Sequence, residues 1–141
     1  YAAKESSTAI AESASSRGRF LSATAEPPMR VEMRTYLGKV NADLHDIRGG
    51  WPELHNPNSY AASQAVAKGL RTAGSLGLVF DSVRCSGGEC FGAFRSAALA
   101  PFQEHAFTIQ GPHYFYDWDG RSITRYLQAG ETTWLPIPTA A

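Results

Sequence analysis

The clearest pattern in the chain is an apolar stripe with helical spacing in its middle third. Apolar or small residues fall at positions i, i+3, i+4, i+7, i+8 and i+11, and these are Ala62, Ala65, Val66, Gly69, Leu70 and Ala73. This period predicts an amphipathic helix with one continuous apolar face. Asn58 or Ser59 is available to cap its start, and Gly74 suits its C-terminal end.

An earlier, shorter helix is predicted where small and helix-compatible residues run from Ser6 or Ser7 to Ser16. A serine is available as its cap, and Gly18 ends the helix or allows a bend. Glu12 lies on this helix with little other charge nearby. Pro27-Pro28 then interrupts the regular secondary structure.

The spacing of the apolar residues changes after the central helix. The apolar run from Leu76 to Val83 predicts a buried strand, Ser86 to Glu89 a hairpin turn, and Cys90 to Phe94 the returning strand. Asp119-Gly120 is a strong signal for a second hairpin. Further strands are expected at residues 31–40, 107–109, 113–118 and 122–127.

These elements predict a single α+β domain over residues 1–141, with early helices packed on mainly antiparallel sheets and β-hairpins late in the chain. Residues 43–57 are rich in turn signals, and the Pro-rich residues 132–141 are expected to be irregular. Tyr1-Ala2-Ala3 resembles the end of a strand already under way, so an N-terminal part of the domain is expected to be absent.

Composition narrows the function classes. The formal net charge is zero, so a nucleic-acid or anionic-membrane partner, which would need a basic face, is not expected. No apolar run approaches the roughly 18 residues that span a bilayer. Two cysteines, Cys85 and Cys90, are too few for a secreted disulfide scaffold, and packed free thiols are expected of them. The expected location is therefore the cytoplasm.

Three residues are candidates for chemistry. A carboxylate such as Glu12, if it faces a cleft, can hold a ribose hydroxyl and offset charge on an oxocarbenium-like centre. Ser82 closes a buried strand without a G-x-S-x-G elbow, which favours a hydrogen-bonding role over an acyl-enzyme nucleophile. Arg84 can pair with phosphate or with a carboxylate. The ordinary alternatives are that Glu12 is a solvated helix glutamate, that Ser82 is a strand-end serine and that Arg84 forms a structural ion pair.

Other polar and aromatic groups allow weaker hypotheses. His45, Asp46 and His55 suggest a metal-dependent hydrolase, but their spacing matches no closed zinc pattern, and no metal site is predicted. The aromatic residues between positions 114 and 118 are expected in the core rather than on a stacking platform. His113 is either a structural histidine or a cleft residue.

Taken in order, these segments resemble the RES domain family. Residues 1–12 resemble its tyrosine-bearing strand followed by a Thr-Ala-x-x-Glu helix, and residues 60–64, 77–84 and 87–90 resemble its second half. The hairpin at residues 116–120 also fits, and within the family the chain looks most similar to the ParT-type toxins of Xre–RES toxin–antitoxin pairs. The family is named after an arginine, a glutamate and a serine, of which Glu12 and Ser82 match the last two. The arginine should precede Tyr1, which implies either a fragment or an inactive member.

The resemblance implies an ADP-ribosyltransferase-like fold and cleavage of the nicotinamide–ribose bond of NAD. Tyr1 would stack on the nicotinamide or its ribose, Glu12 would stabilise the cationic transition state, and Ser82 would hydrogen-bond the nicotinamide or phosphate side. ParT-like members imply ADP-ribosylation of phosphoribosyl pyrophosphate synthetase, whereas others use phosphate or water and deplete NAD. The implied partner is an Xre-type antitoxin that covers the cleft or inserts a segment into it. The alternatives are a catalytically inactive RES-like binding module and the metal-dependent hydrolase.

Overall fold

The structure, a computed structural model, describes residues 2–101 and 108–140. Within these ranges the chain forms two α-helices, α1 (Ser6–Ala23) and α2 (Ala61–Thr72). The described strands are β1 (Ala2–Ala3), β2 (Met29–Val40), β3 (His45–Asp46), β4 (Gly77–Asp81), β5 (Glu89–Ala93), β6 (Leu99–Ala100), β7 (Thr108–Trp118), β8 (Ile123–Gln128) and β9 (Leu135–Pro136). Neither described helix has the length and apolar character that a membrane span requires.

The described strands form two sheets, which confirms the predicted α+β fold. One sheet has the order β1-β5-β4-β3, and the other has the order β6-β2-β7-β8-β9. Of the described strand pairs, β3 and β4 run parallel and the others run antiparallel. Helix α1 contacts strands of both sheets, so its two faces meet different surroundings.

The hairpin predicted at Asp119-Gly120 joins β7 to β8. The Asp119 carboxylate accepts hydrogen bonds from the backbone N–H groups of Arg121 at 2.7 Å and Ser122 at 2.8 Å. Gly120 has a φ of +94°, a conformation that favours glycine. The tail, predicted to be irregular, instead contributes β9, which pairs with β8 because that strand has a free edge there.

The core lies between α1 and the five-stranded sheet. Its buried members are Ile10, Ala14, Leu21, Val31, Tyr114, Tyr116 and Trp118. The Tyr116 hydroxyl lies 2.7 Å from the Ser13 hydroxyl, so this buried phenol has a polar partner. The prediction that the late aromatic cluster is core is confirmed for Tyr114, Tyr116 and Trp118.

Helix α1 is longer than predicted. It continues through Gly18 to Ala23, because the helix buries Leu21, which is 2% exposed, and this burial outweighs the modest helix penalty of glycine. A side chain at Gly18 would meet the Trp118 ring. The predicted serine cap is also wrong, because Glu5 occupies the N-cap position and makes no side-chain cap hydrogen bond.

Helix α2 lies where the apolar period predicts it, but its apolar face is not buried. No residue of α2 is buried, and Val66 is 38% exposed. The partly buried positions are Ser63, Ala67 and Leu70. Ser63 and Ala67 line a cavity, so this part of the helix lies along the edge of the cavity rather than on a closed core. In the loop-rich segment before it, residues 45–46 form β3 by pairing with the buried strand β4.

Candidate active site

Glu12 is positioned by the docking of α1 onto the connection between β4 and β5. One turn before it, Thr8 is 1% exposed and packs against Gly88. A Cβ atom at Gly88 would lie 2.6 Å from Thr8 Oγ1, so only glycine permits this approach. The contact between Thr8 and Gly88 therefore brings Glu12 close to the end of β4.

Ser82 holds the Glu12 carboxylate directly. The Ser82 hydroxyl donates a hydrogen bond to Glu12 Oε1 at 2.6 Å. The Ser82 hydroxyl oxygen itself accepts hydrogen bonds from the backbone N–H groups of Arg84 at 3.1 Å and Cys85 at 3.0 Å. A hydroxyl has one proton and two acceptor sites, and all three are in use. Ser82 is thus suited to orient Glu12 rather than to bind another group.

The loop that carries Ser82 is closed by its own backbone. The Ser82 N–H donates to the Gly88 carbonyl at 2.8 Å, and the Gly88 N–H donates to the Cys85 carbonyl at 3.0 Å. The predicted hairpin is confirmed, with Asp81 paired to Glu89 across β4 and β5. The position of Ser82 therefore depends on the same glycine that contacts α1.

Cys85 and Cys90 are buried free thiols beside this pair, as predicted. Burial, together with the negative charge of the Glu12 carboxylate, raises the pKa of the Cys90 thiol to about 12. Because the thiol rather than the thiolate prevails at neutral pH, Cys90 does not supply a nucleophile to the site.

A cavity of about 430 Å³ opens on one side of Glu12. Strands β1, β4 and β5, helix α2 and residues 47–56 form its walls, and the lining is mainly apolar. The apolar lining includes Ile47, Leu54, Leu78, Phe80, Phe91 and Phe94. This volume lies in the range of small-molecule sites, and the apolar walls suit a flat aromatic ring next to a carboxylate. Ser82 and Arg84 do not line the cavity.

Polar contacts hold residues 47–56 against the sheet. Arg48 forms an ion pair with Asp46 at 2.6 Å and a second one with Glu89, and hydrogen bonds from Arg48 hold the pKa of Asp46 low, at about 2. The Gly49 N–H donates to the Asp81 carboxylate at 2.7 Å. This wall of the cavity is therefore tied to β4 and β5, the strands that flank the Ser82 loop.

Two of the three residues of the metal hypothesis, Asp46 and His55, have other partners. Asp46 is paired with Arg48. His55 Nε2 accepts the Asp81 N–H at 3.3 Å, and His55 Nδ1 lies 3.1 Å from the Trp51 carbonyl, which places the proton on Nδ1. Residues 2–101 and 108–140 hold no group of three or more metal-ligating side chains, so nothing in them supports this hypothesis.

The other residues considered for the site do not line the cavity or lie outside the described residues. Tyr1 lies outside the described residues, as does the start of the strand predicted at 107–109. The Arg84 guanidinium donates to the Pro57 carbonyl, and its Nε atom is buried without a hydrogen-bond partner. The structural ion pair that was the alternative interpretation of Arg84 is not among the salt bridges of the described residues. His113 is partly exposed and lies near Glu32, on the five-stranded sheet away from the cavity.

Two residues of this region, Tyr60 and Arg19, were not predicted from the sequence as parts of a site. Tyr60 lines the cavity, and Arg19 donates to the Tyr60 hydroxyl at 3.1 Å. The signal for Arg19 was its spacing of seven residues from Glu12, which places both residues on one face of α1. That signal required a helix continuing past Gly18, whereas the predicted helix ended before Arg19.

A comparison with protein families identifies the chain. The model of the RES domain matches residues 1–119. Neither a comparison with curated proteins nor one with solved structures finds a significant match. RES domains are known as toxins that act on NAD, and they generally pair with Xre antitoxins. Because the match covers most of the chain, the protein belongs to the RES domain family.

Proposed function

We propose that this protein cleaves the nicotinamide–ribose bond of NAD and transfers the ADP-ribose to a protein acceptor. The observation that carries the proposal is the hydrogen bond from Ser82 to Glu12 at the edge of an apolar cavity. It joins the two residues that match the glutamate and the serine of the family name. The ParT-type resemblance favours phosphoribosyl pyrophosphate synthetase as the acceptor.

The chemistry requires a carboxylate near the anomeric carbon of the ribose. When the glycosidic bond breaks, its electron pair neutralises the positively charged nicotinamide ring nitrogen, so the leaving group needs no proton. Positive charge develops on the ribose, and the Glu12 carboxylate stabilises that charge and holds a ribose hydroxyl. The acceptor nucleophile forms the new bond to the anomeric carbon and passes its proton to solvent water.

The surroundings of Glu12 support this role. Glu12 lines the cavity, so its carboxylate is accessible to a substrate there. The Ser82 hydroxyl holds one carboxylate oxygen, which limits the rotamers of Glu12 before substrate binds. In this proposal the nicotinamide ring occupies the apolar part of the cavity near Phe80 and Phe91, and Tyr1 stacks on the nicotinamide or its ribose.

The proposed partner is an Xre-type antitoxin, in line with the pairing usual for RES toxins. A small helical antitoxin that covers the cavity mouth or inserts a segment into it would block access to Glu12. The proposed inhibition is therefore steric, and it needs no change in the hydrogen bond between Ser82 and Glu12.

Nicotinamide release tests the proposal. The full-length protein is incubated with NAD alone, with inorganic phosphate, and with phosphoribosyl pyrophosphate synthetase, and free nicotinamide and labelled synthetase are measured. We expect nicotinamide release that rises with the synthetase, together with covalent labelling of the synthetase. If nicotinamide release needs only phosphate or water, the reaction is phosphorolysis or hydrolysis of NAD rather than transfer of ADP-ribose to a protein. A full-length protein that binds NAD but releases no nicotinamide under any condition would be an inactive binding module.

Replacement of Ser82 separates orientation from substrate contact. We expect Ser82→Ala to lower kcat for nicotinamide release by roughly 10- to 100-fold, because it removes one hydrogen bond to a charged group, and to leave KM for NAD within about twofold. Ser82→Thr keeps the hydroxyl and should restore most of kcat. Ser86→Ala, at an exposed serine of the same loop, is the matched control. A rise in KM with kcat unchanged would show that Ser82 contacts the substrate instead.

A further inference from the structure

Two arginines from distant parts of the chain converge on one backbone oxygen. Arg19, on α1, donates from Nη2 to the Pro57 carbonyl at 2.6 Å, and Arg84, after β4, donates from Nη2 to the same oxygen. Both guanidinium groups therefore lie within hydrogen-bond distance of a single atom. Arg19 also donates from Nη1 to the Tyr60 hydroxyl.

The charge of this pair is not neutralised by the described residues. Within residues 2–101 and 108–140, neither Arg19 nor Arg84 forms an ion pair with a carboxylate. The Pro57 carbonyl has only a partial negative charge, and Arg84 Nε is buried without a hydrogen-bond partner. Two cations held close together with one donor unused favour an anion with several acceptor oxygens.

The pair is connected to the proposed catalytic carboxylate through α1 and through Ser82. Arg19 is two helical turns after Glu12 on the same face of α1, and Arg84 donates its backbone N–H to the Ser82 hydroxyl that holds Glu12. Tyr60, the partner of Arg19, lines the cavity. A ligand whose ribose meets Glu12 can therefore reach the two arginines with its neighbouring groups.

We infer that Arg19 and Arg84 form a phosphate-binding site at the rim of the cavity, with Pro57 O occupying part of it in the free protein. The inference rests on the proposed function, since it names the group of the substrate that binds here. The bound group is a phosphate-type anion, either the diphosphate of NAD or, if inorganic phosphate rather than a protein is the acceptor, that phosphate. Binding exchanges the Pro57 carbonyl for phosphate oxygens and engages the forks of both guanidinium groups.

Direct binding tests this site independently of catalysis. Binding of ADP, inorganic phosphate and adenosine is measured by titration calorimetry on the wild-type protein and on Arg19→Gln and Arg84→Lys. We expect both variants to bind at least one of the two anions at least tenfold more weakly and adenosine unchanged. Arg19 is exposed, so its variant tests the site even if Arg84→Lys folds poorly. Arg17→Gln is the matched control, because Arg17 lies over the Phe20 ring on the same helix.

Kinetics distinguish the two sources of phosphate. If the site binds the NAD diphosphate, Arg19→Gln raises KM for NAD about tenfold when phosphate is absent. If it binds the acceptor, Arg19→Gln raises KM for phosphate and leaves KM for NAD unchanged. If the protein does not cleave NAD but binds one of the anions, and Arg19→Gln weakens that binding, the proposed function is rejected and the phosphate-binding site is supported. The inference is overturned if the wild-type protein binds neither anion, or if Arg19→Gln binds both as tightly as wild type; the arginines would then only secure the loop at Pro57.

Discussion

Nicotinamide release is expected to fall by about 10²- to 10³-fold when Glu12 is replaced by glutamine, the loss typical of removing one preorganised electrostatic group from an active site. Glutamine has nearly the same shape, and its amide oxygen still accepts the hydrogen bond that Ser82 donates to Glu12 Oε1 at 2.6 Å. The variant therefore removes the negative charge and keeps the local packing. Since charge stabilisation acts on the transition state, the loss should appear in kcat. Release of nicotinamide from NAD, followed by chromatography, is the measurement.

Glu5→Gln is the matched control for Glu12→Gln. Glu5 precedes the same helix, is exposed, and makes no side-chain cap hydrogen bond. We expect this control to keep wild-type turnover and melting temperature. Glu12→Gln should likewise keep a wild-type circular dichroism spectrum and a cooperative thermal transition. Wild-type turnover in a folded Glu12→Gln variant would contradict the role assigned to Glu12.

Gly88→Ala is expected to lower the free energy of unfolding by roughly 1–3 kcal/mol, the range of overpacking in a closely packed site. The new Cβ atom would lie 2.6 Å from Thr8 Oγ1, 2.7 Å from Thr8 Cγ2 and 3.1 Å from the Cys85 carbonyl. This steric overlap is relieved only if α1 and the loop between β4 and β5 move apart. That movement displaces Ser82, whose N–H donates to the Gly88 carbonyl. We therefore expect nicotinamide release to fall together with stability. Urea unfolding and the nicotinamide assay measure the two effects.

Two variants show whether the contact itself causes the loss. Gly87→Ala introduces backbone strain alone, because Gly87 has a φ of +67° and open space around it. It should destabilise the protein without the large loss of activity. Thr8→Ala removes the two closest side-chain atoms, so the double variant Thr8→Ala, Gly88→Ala should be more stable than the sum of the single effects predicts. If the changes in the free energy of unfolding of the two single variants simply add up in the double variant, the contact with Thr8 is not the reason that alanine at position 88 is destabilising.

The elements that local patterns predicted well are those with local causes. The hairpin at Asp119-Gly120 is defined by a carboxylate that accepts adjacent backbone N–H groups and by a glycine at positive φ. The strand and hairpin from β4 to β5 follow from an apolar run and a glycine-containing turn. Both depend on neighbours along the chain, and such neighbours are visible in the sequence.

Predictions about burial were less accurate. The 3.6-residue period located α2 correctly, but a period does not state which surface the helix meets, and α2 buries no residue. In α1 the local penalty at Gly18 suggested an end, whereas packing of Leu21 in the core carries the helix to Ala23. These outcomes depend on residues far away in sequence, and a local pattern contains no information about them.

By itself the sequence determined the α+β class, the two principal hairpins and the ordered resemblance that selected Glu12 and Ser82. Only the tertiary structure decided how these residues lie relative to one another. The hydrogen bond between Glu12 and Ser82 joins residues 70 positions apart, and it exists because Gly88 allows α1 to approach the loop after β4. The same docking brings Arg19 and Arg84 to one carbonyl oxygen. Residue types and local periods define the elements, but contacts between distant residues, selected by packing, define the site.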